Sequence, residues 1–319
     1  MVTINDVAKK CGVAKSTVSN ALTDKKYVSP ELKKRIMDAC EELDFQPNFY
    51  ASTLSRGNTN IIALILEEDS GVKYRRFYTD LITSCLKTAA AAGRHLLVYN
   101  GLDKQSVVTM LKRNKAPIDG AIVLTPLVDD FRLAQMEKQR IPCVIIGRPD
   151  KESDISYVDV NNVRMVADVT KRLYEQGYRR FCLVNSERSK TISLDRAKGF
   201  CETLSAYADA DIHVVYTDES SEGEGHRACM PYLQKEMAFI TSDGTIARGV
   251  YKTALEAGMT GKDGIKIYSL GEDDEGGDVL WEYARQDYSK LGETATRILL
   301  EEIDGEKEIR KLCTDYYVV

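Results

Sequence analysis

The stretch TINDVAKKCGVAKSTVSNALTDKKYVSPELKKRIMDACEELDFQPN, residues 3–48, decides how the whole chain is read. Thr3 followed by Asp6 has the spacing of a capping box, and Ile4, Val7, Ala8 and Cys11 then recur at helical intervals on one apolar face. Gly12 interrupts the pattern. A second, short helix is expected from about Ala14 to Leu22 with Val18, Ala21 and Leu22 inward. A third opens at Ser29-Pro30, an N-cap with proline at the first helical position, and buries Leu32, Ile36, Cys40 and Leu43. Helix, glycine turn, short helix and supporting helix make the helix-turn-helix plan, whose second helix enters the major groove of DNA. Its apolar residues face inward, which leaves Lys15, Ser16, Ser19 and Asn20 outward. Lysine donates to guanine, asparagine pairs with adenine, and hydroxyls serve bases or phosphates.

The charge follows the same division. Residues 1–35 hold eight Lys/Arg against three Asp/Glu, although the net charge of the chain is −5. A small basic module on an acidic body suits a DNA-binding head, and the acidic body limits nonspecific adhesion to DNA. At 319 residues the chain exceeds one ordinary core, so two or three domains are expected, and 43% hydrophobic residues exclude disorder as its dominant state. The longest apolar run, Ile61–Leu66, is far short of the ~20 residues that a membrane helix needs. The amino terminus has neither the basic start nor the apolar stretch of a secretory signal, so a cytoplasmic protein with no membrane partner is expected. The eight cysteines are scattered, with no Cys-x-x-Cys pair, and the three histidines lie near no cysteine pair. Reduced core thiols, no metal and no cofactor are therefore expected.

On Thr3-Ile4-x-Asp6-Val7-Ala8, Gly12-Val13, Ser16-Thr17-Val18-Ser19, Tyr27-Val28-Ser29 and Pro47-Asn48, this segment resembles the amino-terminal domain of the lactose-repressor (LacI) family of transcription regulators. The resemblance implies that Lys15, Ser16 and Asn20 read bases, while Thr3, Thr17, Ser19, Tyr27 and Asn48 hold the DNA backbone. Ala14 departs from the family's usual serine N-cap, a loss of ~1 kcal/mol that docking on DNA must offset. Residues 48–57 fall where the family keeps a hinge helix, which is too short to be stable alone and is expected to form when two copies pack on DNA. Ala51 matches there, and Leu54 aligns with the leucine that wedges into the minor groove. Phe49-Tyr50 and Ser52-Thr53 depart from the usual small and charged residues.

From Ile61 onward, strand-like runs alternate with helical stretches, which implies parallel sheets covered on both faces. Strands are expected at 61–66, 95–99, 120–124, 143–146, 157–160, 181–184, 213–216, 238–241 and 265–270, with helices near 77–92, 103–114, 130–139, 161–176, 195–206, 224–235, 245–257 and 290–303. The strands group as 61–160 and 160–290, two similar lobes with a cleft at their carboxyl ends. Asp119–Val123, Ile141–Ile145, Val158–Asn162, Gln176–Arg180, Ser242-Asp243 and Gly271–Asp274 resemble the family's effector core, itself similar to periplasmic sugar-binding proteins. The expected architecture is α/β: an all-α helix-turn-helix domain with its hinge over 1–58, then a core of two doubly wound lobes over 59–319.

The resemblance places effector positions at Phe77, Tyr78 and Arg148 in the first lobe and at Arg196, Ser242, Asp243 and Asp273 in the second. Arginine offers a planar fork to adjacent oxygens, a carboxylate accepts from paired hydroxyls, and an aromatic ring covers an apolar sugar face. Arg196 could instead form a surface ion pair with Asp195 or Glu202, Asp273 could sit in a solvated acidic turn, and Phe77 and Tyr78 could be core. Two departures are a residue more than usual after Asp243 and a basic loop, Lys73 to Arg76, before Phe77. No Gly-x-Gly-x-x-Gly, P-loop, Gly-x-Ser-x-Gly or His-Glu-x-x-His is present, and Ser84–Lys87 matches Ser-x-x-Lys by chance, so no enzyme is expected. The reading is a dimeric repressor of a carbohydrate-utilisation operon, bound to a pseudo-palindromic double-stranded DNA operator and controlled by a sugar or sugar phosphate. Its rivals are an activator or a catabolite-control regulator acting with a protein corepressor, and a plain sugar-binding receptor. The final residues, Asp315 to Val319, read as a terminal strand without a leucine heptad, which favours a dimer over a tetramer.

Overall fold

The signals of the first segment act locally, and three helices result: α1 (Ile4–Cys11), α2 (Lys15–Thr23) and α3 (Pro30–Glu42). The Asp6 carboxylate accepts from the Thr3 backbone N–H at 2.8 Å and from its hydroxyl at 2.7 Å, which holds its pKa below the usual carboxylate value. Gly12 ends α1 at φ +64, a conformation that costs a side chain energy but suits glycine. The Ser29 hydroxyl accepts from the Leu32 N–H at 3.3 Å and caps α3. Val7, Ala8, Cys11, Val18, Ala21, Ile36, Ala39 and Cys40 form the buried core, and Arg35 ties α3 to the end of α1 through the Cys11 carbonyl at 3.1 Å.

The structure is a computed structural model that describes residues 2–23, 26–45, 59–66, 75–100, 118–261, 264–273, 280–306 and 308–318, in two compact units, Met1–Asn60 and Ile61–Val319. The expected hinge helix at 48–57, with Asn48, Ala51 and Leu54, lies outside the described residues, as do the expected helix at 103–114 and Lys73.

The second unit holds two six-stranded sheets. Lobe 1 contains β1 (Ile61–Ile65), α4 (Arg75–Ala91), β2 (His95–Tyr99), β3 (Gly120–Leu124), α5 (Phe131–Gln139), β4 (Cys143–Ile146) and β5 (Ser156–Val160). Lobe 2 follows with α6 (Asn162–Glu175), β6 (Arg180–Asn185), α7 (Thr191–Leu204), β7 (Asp211–Tyr216), α8 (Glu222–Cys229), β8 (Met237–Thr241), α9 (Gly244–Glu256), β9 (Lys266–Ser269) and β10 (Glu282–Gln286). The central strands β3, β4 and β8 are buried along their whole length, as continuous apolar runs in parallel sheets must be.

The expected grouping of the strands, 61–160 and 160–290, matches the two sheets, but it leaves the segment after residue 290 unassigned. After β10 the chain returns to lobe 1, where α10 (Tyr288–Ile303) packs on α4 and over β3 and β4. There β11 (Lys311–Thr314) extends the sheet beside β5, with Cys313 opposite Asp159. Finally β12 (Tyr316–Val318) crosses back and pairs antiparallel with β10. The sheet orders are β11-β5-β4-β3-β1-β2 and β12-β10-β9-β8-β6-β7. Three segments therefore join the lobes: β5 to α6, β10 to α10, and β11 to β12. The apolar stripe of α10, Leu291, Ala295, Ile298 and Leu299, requires burial but does not say against which sheet. The choice is made at Gly292, where a β-carbon would meet the Leu81 carbonyl of α4 at 2.7 Å. β10 and β11 carry polar residues at sheet margins and lack the apolar runs by which the other strands announce themselves.

Candidate functional site

In the first unit, Lys15 and Ser16 of α2 are exposed, with Thr17, Ser19 and Asn20 half-buried along the same helix. Val18 and Ala21 face the core and fix its rotation. Thr3 is exposed at the α1 start, and Tyr27 is 89% exposed just before α3. An aromatic ring left so bare gains nothing from the core, whereas its hydroxyl and ring edge are available to a partner. These residues present exposed or half-buried polar groups, as a surface that lies against a polyanion requires.

In the second unit, a cavity of about 130 Å³ lies between the lobes. Lobe 1 contributes Phe77 and Tyr78 from α4 and Thr125 from the end of β3, and Tyr288 joins them where α10 begins. The Phe77 ring meets Tyr78 edge-on at 5.0 Å and Tyr288 at 4.9 Å, so Phe77 and Tyr78 serve both the cavity wall and the adjoining core. Lobe 2 contributes Ser186 after β6, Lys190 and Arg196 at α7, Ser242 and Asp243 after β8, and Glu272 after β9. These are carboxyl ends of parallel strands, where such sheets bind ligands. A larger groove, about 340 Å³, opens at the amino ends of β4 and β5, but Glu137, Glu302, Glu306 and Glu308 crowd it with carboxylates.

Arg196 is 6% exposed and is no surface ion pair. Its Nε donates to Asn162 Oδ1 at 3.3 Å and its Nη1 to the Ser242 carbonyl at 3.0 Å, so α7, α6 and the β8 end all fix the guanidinium. Asp243 faces the cavity but is also the N-cap of α9: its carboxylate accepts from the Thr245 and Ile246 N–H groups at 3.0 Å, and from the Ser220 and Ser242 hydroxyls at 2.8 Å. Gly244 lets this turn close, because a β-carbon there would stand 2.5 Å from Asp273 Cα.

Two expected residues are placed differently. Asp273 is not a solvated turn: it is buried in an ion pair with Arg248 of α9, and Glu272 takes the position at the cavity wall. The Glu272 carboxylate is shared by Arg76 at 2.6 Å, from lobe 1, and Arg285 at 2.8 Å. Arg148 does not line the cavity but crosses to lobe 2, where its Nε donates to Asp195 at 3.1 Å. Backbone bonds seal the same seam, from the Val128 N–H to the Ser189 carbonyl at 2.8 Å and from the Thr191 N–H to the Pro126 carbonyl at 3.1 Å. Sequence reasoning missed Thr125, Ser186, Lys190, Glu272, Gln286 and Tyr288. The strand-end rule alone finds Thr125 and Ser186, each immediately after a strand. Gln286 and Tyr288 required knowing that β10 and α10 form a connection between lobes.

Among the described residues, no helix is long and apolar enough to cross a membrane. Six of the cysteines are buried, Cys201 is half-buried and Cys313 is exposed, all as free thiols. Burial pushes the Cys85 thiol up to about 11, which keeps it protonated and inert.

The profile for bacterial regulatory proteins of the lacI family matches residues 3–48, and that for periplasmic binding proteins and the sugar binding domain of the LacI family matches residues 59–273. The chain is similar to the HTH-type transcriptional regulator MalR of Streptococcus pneumoniae, 25% identical over 322 residues, 98% of this chain and 96% of that protein. Among solved structures, it is similar to the lac repressor dimer bound to operator and the anti-inducer ONPF, with a TM-score of 0.80 at 18% identity over 100% of this chain and 97% of that one. The transcriptional regulator CelR–cellobiose complex is matched with a TM-score of 0.73 at 21% identity, over 100% of this chain and 98% of that one.

Proposed function

The chain belongs to the LacI family and is a DNA-binding transcription regulator, not an enzyme; on that premise we propose that it represses a carbohydrate-utilisation operon under the control of a sugar-like effector. It acts as a homodimer on a pseudo-palindromic operator, because one α2 per chain reads only a half-site. Lys15, Ser16 and Asn20 read bases, while Thr3, Thr17, Ser19, Tyr27 and Asn48 hold the backbone. Ala51 and Leu54 act at the hinge. In the cleft, Arg196 grips ring hydroxyls, Phe77, Tyr78 and Tyr288 cover an apolar sugar face, and Ser242, Asp243 and Glu272 complete the polar wall. Arg148 and Asp273 act through their ion pairs, holding the seam and the β9 turn.

The observation that carries this reading is the buried Arg196 guanidinium, held by α6 and the end of β8 and lining the same cavity as aromatic rings from the other lobe. A buried cation with planar donors beside an aromatic wall fits a polyhydroxylated ring. A thermal-shift screen of disaccharides, cellobiose among them, and phosphorylated sugars tests it. At least one sugar raises the melting temperature of the wild type and leaves that of Arg196→Ala unmoved; an equal rise in both would place the ligand elsewhere.

A further inference from the structure

Three charges meet at the seam between the lobes, and only one is positive. Arg148 follows β4 in lobe 1, Asp159 lies on β5 in the same lobe, and Asp195 reaches across from α7 of lobe 2. Asp159 is buried, at 8% exposure, one residue before the first connection between lobes. Its Oδ1 accepts from the Val160 N–H at 2.8 Å and from the Asn162 amide at 3.2 Å. Asn162 is the residue whose other end accepts from Arg196, so this carboxyl adjoins the ligand grip. The groups facing Asp159 are Asp195 from α7, Arg148 from the β4 end, Asn162 from α6, Cys313 from β11 and Tyr157 from its own strand.

We propose that Asp159 is a proton-operated latch on the cleft. Carrying a proton, it leaves Arg148 wholly to Asp195, and the lobes hold together. Ionised, it draws Arg148 back into lobe 1 and repels Asp195, and the seam loosens. The electrostatics give the same sign. Burial first, and Asp195 after it, push the Asp159 pKa up to about 7 in the closed arrangement. Opening removes Asp195 and admits water, both of which lower the pKa. The closed form therefore binds more protons, and closure weakens as pH rises from the lower, open-state pKa toward about 7 and levels above it. Control of effector affinity by this latch rests on the cleft reading above; the latch itself does not.

The test uses the full chain without sugar or DNA. Amide hydrogen exchange, followed by mass spectrometry from pH 6 to pH 8.5, is read in peptides that contain Val128 and Thr191, whose N–H groups bridge the lobes. After correction for the intrinsic pH dependence of exchange, protection in the wild type falls severalfold across neutral pH. Asp159→Asn keeps the high, acid-side protection throughout, and Asp195→Asn shows low protection at every pH. Unchanged protection in β6 and β8 certifies the fold of each variant. If Asp159→Asn fails that control, the wild-type step and its loss in Asp195→Asn decide the matter. A wild type without the step, or Asp159→Asn retaining it, overturns the latch. Neither result bears on whether a sugar binds Arg196, so the two readings fail separately.

Discussion

The head and the cleft, each proposed to take a polar partner, are built in opposite ways. On α2 the proposed reading groups, Lys15 and Ser16 exposed and Asn20 half-buried, sit on a helix whose rotation is set by Val18 and Ala21. In the cleft Arg196 is engaged by Asn162 and Ser242 and Asp243 by four donors, and beside it Asp273 is engaged by Arg248 and, along the seam, Arg148 by Asp195. The head recognises by adding contacts to a finished fold. A ligand in the proposed cleft would compete for contacts that the fold itself uses, and could thereby bias the arrangement of the lobes. That difference suits a device in which one end reads and the other end switches.

The contrast predicts that substitutions in the cleft disturb stability and that those on the head disturb only binding. The largest effect is expected for Arg248→Met, which removes the cation paired with the buried Asp273 carboxylate and costs about 3–5 kcal/mol by urea unfolding. A loss under ~1 kcal/mol would mean that the pair is not part of the fold's support. Asp159→Asn acts in the other direction. A carboxyl whose pKa is raised from 3.8 to about 7 destabilises the fold increasingly between those values, so the gain grows from pH 4 to pH 7 and then levels. A gain of order 1–4 kcal/mol at pH 8, and a small one near pH 4, is expected from melts across that range. Arg196→Ala removes two hydrogen bonds from a buried charge and costs about 1.5–3 kcal/mol in the same unfolding assay. Smallest in stability are Lys15→Ala and Asn20→Ala, within ~0.5 kcal/mol of the wild type. Each nonetheless weakens operator binding by ~1–3 kcal/mol with altered base preference, read by mobility shift. If either destabilises the fold as the cleft variants do, the contrast fails.

The same contrast explains what the sequence discloses. The head is local: Thr3 with Asp6, Gly12, and Ser29-Pro30 each act within a few residues, so helices, rotation and outward residues follow from spacing alone. The central strands are legible for the same reason, as each is an uninterrupted apolar run. The cleft and its surroundings are assembled from distant segments, and no periodicity states that Arg248 takes Asp273, 25 residues on, or that Arg148 takes Asp195, 47 residues on. The return of α10 to lobe 1 was hidden for a related reason. Its apolar stripe is the same whichever sheet it covers, and the partner is chosen by the fit of Gly292 against α4.

The central claim is that a ligand in the cleft alters what the head does on DNA, and the most direct measurement is an operator titration. A duplex selected from random sequence by the full chain is titrated with wild type and Arg196→Ala, with and without the sugar that stabilises the wild type. A pseudo-palindromic duplex is expected, with a wild-type affinity that shifts at least about fivefold with the sugar and an Arg196→Ala isotherm that the sugar leaves in place. A wild-type affinity unmoved by a sugar that demonstrably binds, or a full shift retained by Arg196→Ala, would contradict it.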